Sequence, residues 1–159
     1  MEFADHRFTV SEVAALTETN LGTIQAWRRK GYFTLEESGG WHRFTFPELF
    51  SIAVFAEVNT VCRDQGFASS AAYLADQMLA EVIANAAAPY VVGVPGGDSE
   101  PVLEVTYGAR DVGRILDALI SSGADAGAFV VVDYAAIFHR LQSRLQGQGY
   151  AAKPSGSAA

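Results

Sequence analysis

The chain has 159 residues, half of them hydrophobic, so it can bury a real core and is not a disordered polymer; its length suits one small domain plus a second. A formal charge of -7 argues against nucleic-acid binding over the whole surface and leaves room only for a local basic site.

Residues 1–7 form a polar lead-in without the apolar core of a signal peptide. Thr9 and Glu12 have capping-box spacing and predict a first helix over Val10–Leu16. Val13, Ala14 and Leu16 of this helix would support the next one across a turn from Thr17 to Asn20. The next segment, NLGTIQAWRRKG from Asn20 to Gly31, has a polar residue to cap its start and a glycine to stop it. Arg28, Arg29 and Lys30 suit the negative end of that helix.

At about 100° per residue, Leu21, Ile24 and Trp27 share an inner stripe, while Gly22, Gln25, Ala26 and Arg29 face outward. Small residues there let the backbone approach a DNA groove. Gln25 suits a base edge, and Arg29 and Lys30 suit phosphates or bases. The plainer alternative is an amphipathic helix with a solvated cationic end. Beyond Gly31, Ser38-Gly39-Gly40 separates two runs rich in aromatic and β-branched residues, Tyr32 to Leu35 and Trp41 to Phe46. They predict a hairpin, or wing, with Trp41, His42 and Arg43 just past its tip.

Three stretches, Phe8-Thr9-Val10-Ser11-Glu12-Val13-Ala14, Thr23 to Tyr32, and Gly40-Trp41-His42-Arg43-Phe44-Thr45, together resemble the DNA-binding domain of MerR-type transcriptional regulators. The similarity continues through Glu48-Leu49 and Asp64-Gln65-Gly66-Phe67, and it covers roughly the first half of the chain. It implies a winged helix-turn-helix, a homodimer, double-stranded DNA as partner, RNA polymerase or another protein as a further one, and a cytoplasmic, nucleoid-associated location. The DNA-binding set carried by helix and wing is Gly22, Thr23, Gln25, Ala26, Arg28, Arg29, Lys30, His42 and Arg43. The family usually has arginine, tyrosine, tyrosine, glutamate where this chain has Gln25, Ala26, Trp27, Arg28, and its wing arginine falls on His42. The family's target sequence therefore does not carry over.

Thr45 and Glu48 repeat the capping-box spacing, and a third helix is predicted from Phe46 or Pro47 to about Arg63. Cys62 lies in its apolar run and reads as a small buried hydrophobe; as the one cysteine it excludes an intramolecular disulfide and a multi-thiolate metal site. A break at Asp64–Phe67 leads to Ser69 or Ser70 as cap of a fourth helix through about Ala84. No stretch approaches the roughly 18 to 20 apolar residues of a membrane span.

After Pro89 the sequence becomes strand-like. Tyr90–Val94 and Val102–Tyr107 flank a glycine-rich connection and predict an antiparallel hairpin. A helix is predicted from Gly108 to Ser122, with Val112, Ile115, Leu116, Leu119 and Ile120 as its apolar face. Phe129–Val132 reads as a strand in the middle of a sheet, and Tyr134–Leu145 as a last helix capped by Asp133.

Pro95–Ser99 lacks the following helix, Lys and Ser/Thr of a phosphate-binding loop, and His6, His42 and His139 fit no catalytic or metal pattern. No catalytic residue, metal or cofactor is expected, nor an enzyme. The predicted class is α+β: a MerR-like winged helix-turn-helix with a helical extension over 1–85, a small α+β dimerisation or sensing module over 86–147, and a disordered tail over 148–159. The functional expectation is a sequence-specific regulator acting as a homodimer on a promoter. The alternative is a phage-type architectural or DNA-packaging factor, like an excisionase or a small terminase subunit.

Overall fold

The computed structural model describes residues 6–32, 43–84, 89–96, 100–122 and 128–150, and these hold six helices and a three-stranded antiparallel sheet. The predicted wing falls largely on residues 33–42, and the predicted tail on 151–159; both stretches lie outside the described residues.

The helical part begins with α1 (Val10–Leu16) and α2 (Leu21–Lys30), followed by α3 (Phe46–Cys62) and α4 (Gln65–Ala84). Both predicted capping boxes form. Glu12 accepts from the Thr9 amide at 2.6 Å and Glu48 from the Thr45 amide at 2.6 Å, so each helix starts with its free N–H groups partnered. The residue before each box lies in one bridge, Phe8 with Phe44, which holds the starts of α1 and α3 side by side. Phe46, placed by the sequence in the second hairpin run as well as at a helix start, is the first residue of α3.

The apolar residues of α3 do not form a narrow stripe: Leu49, Phe50, Ile52, Ala53, Val54 and Phe55 are all buried, so other elements surround the helix. Arg63 then takes a left-handed conformation (φ 55°), and the Asp64 carboxylate accepts from the Phe67 amide at 2.9 Å. Asp64 is thus the cap of α4, in place of the expected Ser69 or Ser70. An ionised carboxylate is a stronger acceptor than a hydroxyl, and its use one turn earlier puts Phe67 in the core. Ser69 instead donates to the Tyr32 carbonyl at 2.5 Å.

The sheet contains β1 (Tyr90–Val94), β2 (Val102–Thr106) and β3 (Val130–Asp133) in the order β2-β1-β3. The predicted hairpin is β1–β2, with Val92 opposite Glu104 and Val91 opposite Val105. On one face Val91, Val130 and Val132 join the helical core. Gly93 faces the same way, and a Cβ there would stand 2.2 Å from the Val102 carbonyl oxygen and 2.8 Å from the Phe67 ring. Only a bare backbone fits between strand and helix at this point.

The other face carries α5 (Ala109–Ser121), which packs on β1 and β2. The strand β3 lies at the edge of the sheet, not in its middle as its apolar run suggested. The run Val130-Val131-Val132 signals burial on both faces, but the face bearing Val131 is incompletely covered and that residue is 45% exposed.

The last helix, α6 (Tyr134–Gly147), is capped by Asp133, which accepts from the Ala136 amide at 2.9 Å. It turns back onto the N-terminal helices. The buried Tyr134 hydroxyl donates to the Ala71 carbonyl at 2.7 Å, and Phe138 meets Phe46 and Phe50 edge-on. The buried hydrophobic cluster consequently runs from Phe8 to Leu145. Tyr150, expected in the tail, packs against His6 and Phe8 and donates to the Glu12 carboxylate at 2.5 Å. No helix among the described residues is long and apolar enough to cross a membrane.

Candidate nucleic-acid interface

Every member of the predicted site in α2 sits on one short, well-ended helix. The Asn20 side chain accepts from the Gly22 amide at 2.8 Å, and Gly31 (φ 70°) closes the helix by donating to the Arg28 carbonyl at 3.1 Å. Ile24 and Trp27 form the inner stripe, with the Trp27 ring edge-on to Phe55 of α3 at 4.7 Å. Leu21, expected in that stripe, is 39% exposed because the stripe begins only one turn into the helix.

The opposite side is open. Gly22, Gln25, Arg28, Arg29 and Lys30 are exposed, and Thr23 and Ala26 are half-buried. From Asn20 to Leu35 the chain has no acidic residue, so the three cations stand on a locally basic patch of an acidic protein. Arg43 is exposed immediately before Phe44, whose amide is bonded to Phe8; His42 lies outside the described residues. The geometry therefore brings the seven α2 residues together and fixes the chain beside Arg43.

Two sets of contacts hold this helix in place, and neither has a sequence signal. At its C-terminal end, Lys30 lies 5.5 Å over the Tyr32 ring, Tyr32 stacks on Phe55 at 5.5 Å, and the Tyr32 hydroxyl donates to Gln65 of α4. Before its N-terminal end, Glu18 adopts a left-handed conformation (φ 53°) in the turn from α1. The Arg144 guanidinium of α6 donates to the Leu16 carbonyl at 3.1 Å and to the Glu18 carboxylate at 2.7 Å. A residue 126 positions away thus clasps the turn that aims α2.

The electrostatics at α1 show the same attachment. Burial opposes the ionised Glu12 carboxyl, but the Tyr150 hydroxyl and the Thr9 amide and hydroxyl outweigh it, and with His6 they hold Glu12 below the ordinary carboxylate range. Burial and the Glu12 bond push Tyr150 up to about 12. The Glu57 hydrogen bonds raise Arg140 on the neighbouring turn of α6.

Elsewhere, a cleft of about 830 Å³ opens between the α3–α4 connection and the sheet, lined by Val61, Cys62, Arg63, Gln65, Pro95 and Phe129. Among the described residues, no cluster of His, Cys, Asp or Glu could hold a metal ion. In comparisons with known proteins, no family model and no curated sequence matches the chain.

Proposed function

We propose that the chain is a sequence-specific DNA-binding transcriptional regulator that acts as a homodimer on a promoter. In this reading α1, its turn and α2 are the helix-turn-helix of a MerR-like winged domain, and α2 enters the major groove. Gly22 and Ala26 permit close approach, Gln25 reads a base edge, and Arg28, Arg29, Lys30 and Arg43 meet phosphates. The resemblance adds His42 to the same set of DNA-binding residues. The partners are double-stranded DNA and a second copy, with RNA polymerase or another protein as a further one, at the nucleoid in the cytoplasm.

One observation carries the reading: the exposed side of α2 is small, polar and cationic, while its inner stripe is fixed edge-on against α3. A rigid helix offering short side chains and three cations suits a groove better than it suits a solvent face alone. Sequencing genomic fragments retained by the purified protein tests this directly. The expected result is enrichment of a few palindromic promoter sites that disappears with Arg29→Ala and Arg43→Ala. Retention that ignores sequence, with large ring assemblies, would contradict a promoter regulator and favour a packaging or architectural factor.

A further inference from the structure

The helix α5 has a wider apolar face than the sheet covers. Of Val112, Ile115, Leu116, Leu119 and Ile120, Ile115 is buried, while Ile120 is 60% exposed. With Ile115 directed at the sheet, Ala109, Gly113, Leu116 and Ile120 follow spacings of four, three and four along one flank. Ala109 and Gly113 are exposed, and a Cβ on Gly113 would meet nothing within 4 Å. The flank is therefore small in its first half and large in its second.

We propose that this flank is the homodimer contact, with a second copy of the chain laying its α5 antiparallel along it. The occupant follows from the order of sizes and charges. Under two-fold symmetry Ala109 falls opposite the partner's Ile120, and Gly113 opposite the partner's Leu116, so each large side chain meets a small one. The same axis leaves Arg110 two residues, about 3 Å, from the level of the partner's Asp117, within reach of the long arginine side chain, and does so twice. Arg110 and Asp117 are exposed beside the apolar flank, and neither has an ion-pair partner among the described residues. Arg114, by contrast, pairs with Asp111 of its own helix at 3.5 Å. A contact with an unrelated protein would not need large and small residues paired about one midpoint of the helix; a contact between copies does.

The inference rests on the dimeric part of the reading above and is independent of DNA. Light scattering with size-exclusion chromatography on the full chain measures it, with circular dichroism melts as the check on folding. Wild type is expected at about twice the 17.0 kDa of one chain. Ile120→Glu is expected to run as a monomer that keeps the wild-type circular dichroism spectrum and a cooperative melt, lowered only by the lost association. Arg110→Asp and Asp117→Arg should each raise the dimer dissociation constant about tenfold, and the double variant should return to within about threefold of wild type. A dimer that persists in Ile120→Glu, or a double variant no better than the singles, overturns this surface and leaves the dimer standing. A monomeric wild type overturns both surface and dimer, while enrichment of genomic fragments judges DNA binding separately.

Discussion

Glu18 occupies a backbone region that costs a non-glycine residue about 1 kcal/mol, and Arg144 is the side chain that holds it there. Its two bonds are partly screened, since Arg144 is 27% and Glu18 70% exposed. Arg144→Met is accordingly expected to cost only about 1 kcal/mol of global stability. Its local effect is larger: the Thr19 amide, bonded to the Ala14 carbonyl within the same turn, should exchange with deuterium about tenfold faster by NMR. Unchanged exchange there would show that the turn holds itself. The Glu12–Tyr150 contact adds a pH dependence. Because the folded-state pKa of Glu12 is lowered, its contribution is fully present above the unfolded value near 4.5 and is lost as pH falls through the lower folded value. Tyr150→Phe should flatten that part of the acid-unfolding curve, and identical curves would remove Glu12 from the account.

Between elements, β1 approaches β2 and the Phe67 ring closely at Gly93. Gly93→Ala is expected to destabilise the protein by at least about 2 kcal/mol in urea melts, since the carbonyl of Val102 cannot yield without breaking the hairpin. The seam of α6 with α3 makes a second demand: Phe138→Ala removes a ring packed against Phe46 and Phe50 and should cost about 3 to 5 kcal/mol. These elements differ in how far the sequence announced them. Thr9 with Glu12, Thr45 with Glu48, Asn20, Gly31 and Asp133 act within three residues of themselves, so their spacing was readable. Asp64 does not stand out in the sequence because two serines downstream offer an equally local pattern, and only the burial of Phe67 decides between them. The edge position of β3 depends on what covers Val131. That is a property of α5's placement, which the valine run cannot encode.

At the scale of the whole molecule, the residues after the hairpin do more than hang from the N-terminal helices. Through Arg144, Arg140, Tyr134 and Tyr150, α6 and its end reach α1, α3 and α4, so the turn before α2 is bonded to the helix that follows the sheet. The outward residues of α2 were legible because one helix carries them all. The clasp behind them was not, because its bonds span more than a hundred positions. On an acidic protein, the proposed DNA binding has to act locally through the basic end of α2 and to weaken as salt rises.

The measurement that tests the central claim most directly is equilibrium binding of an enriched genomic fragment and of a mixed-sequence fragment across a salt series, for wild type, Arg28→Ala and Arg29→Ala. The account predicts that wild type binds the enriched fragment at least about a thousandfold more tightly than the mixed one at physiological salt. Each substitution should lower the slope of log affinity against log salt by about 0.9. Equal affinity for the two fragments, or slopes that ignore both substitutions, would contradict α2 as the DNA-reading element.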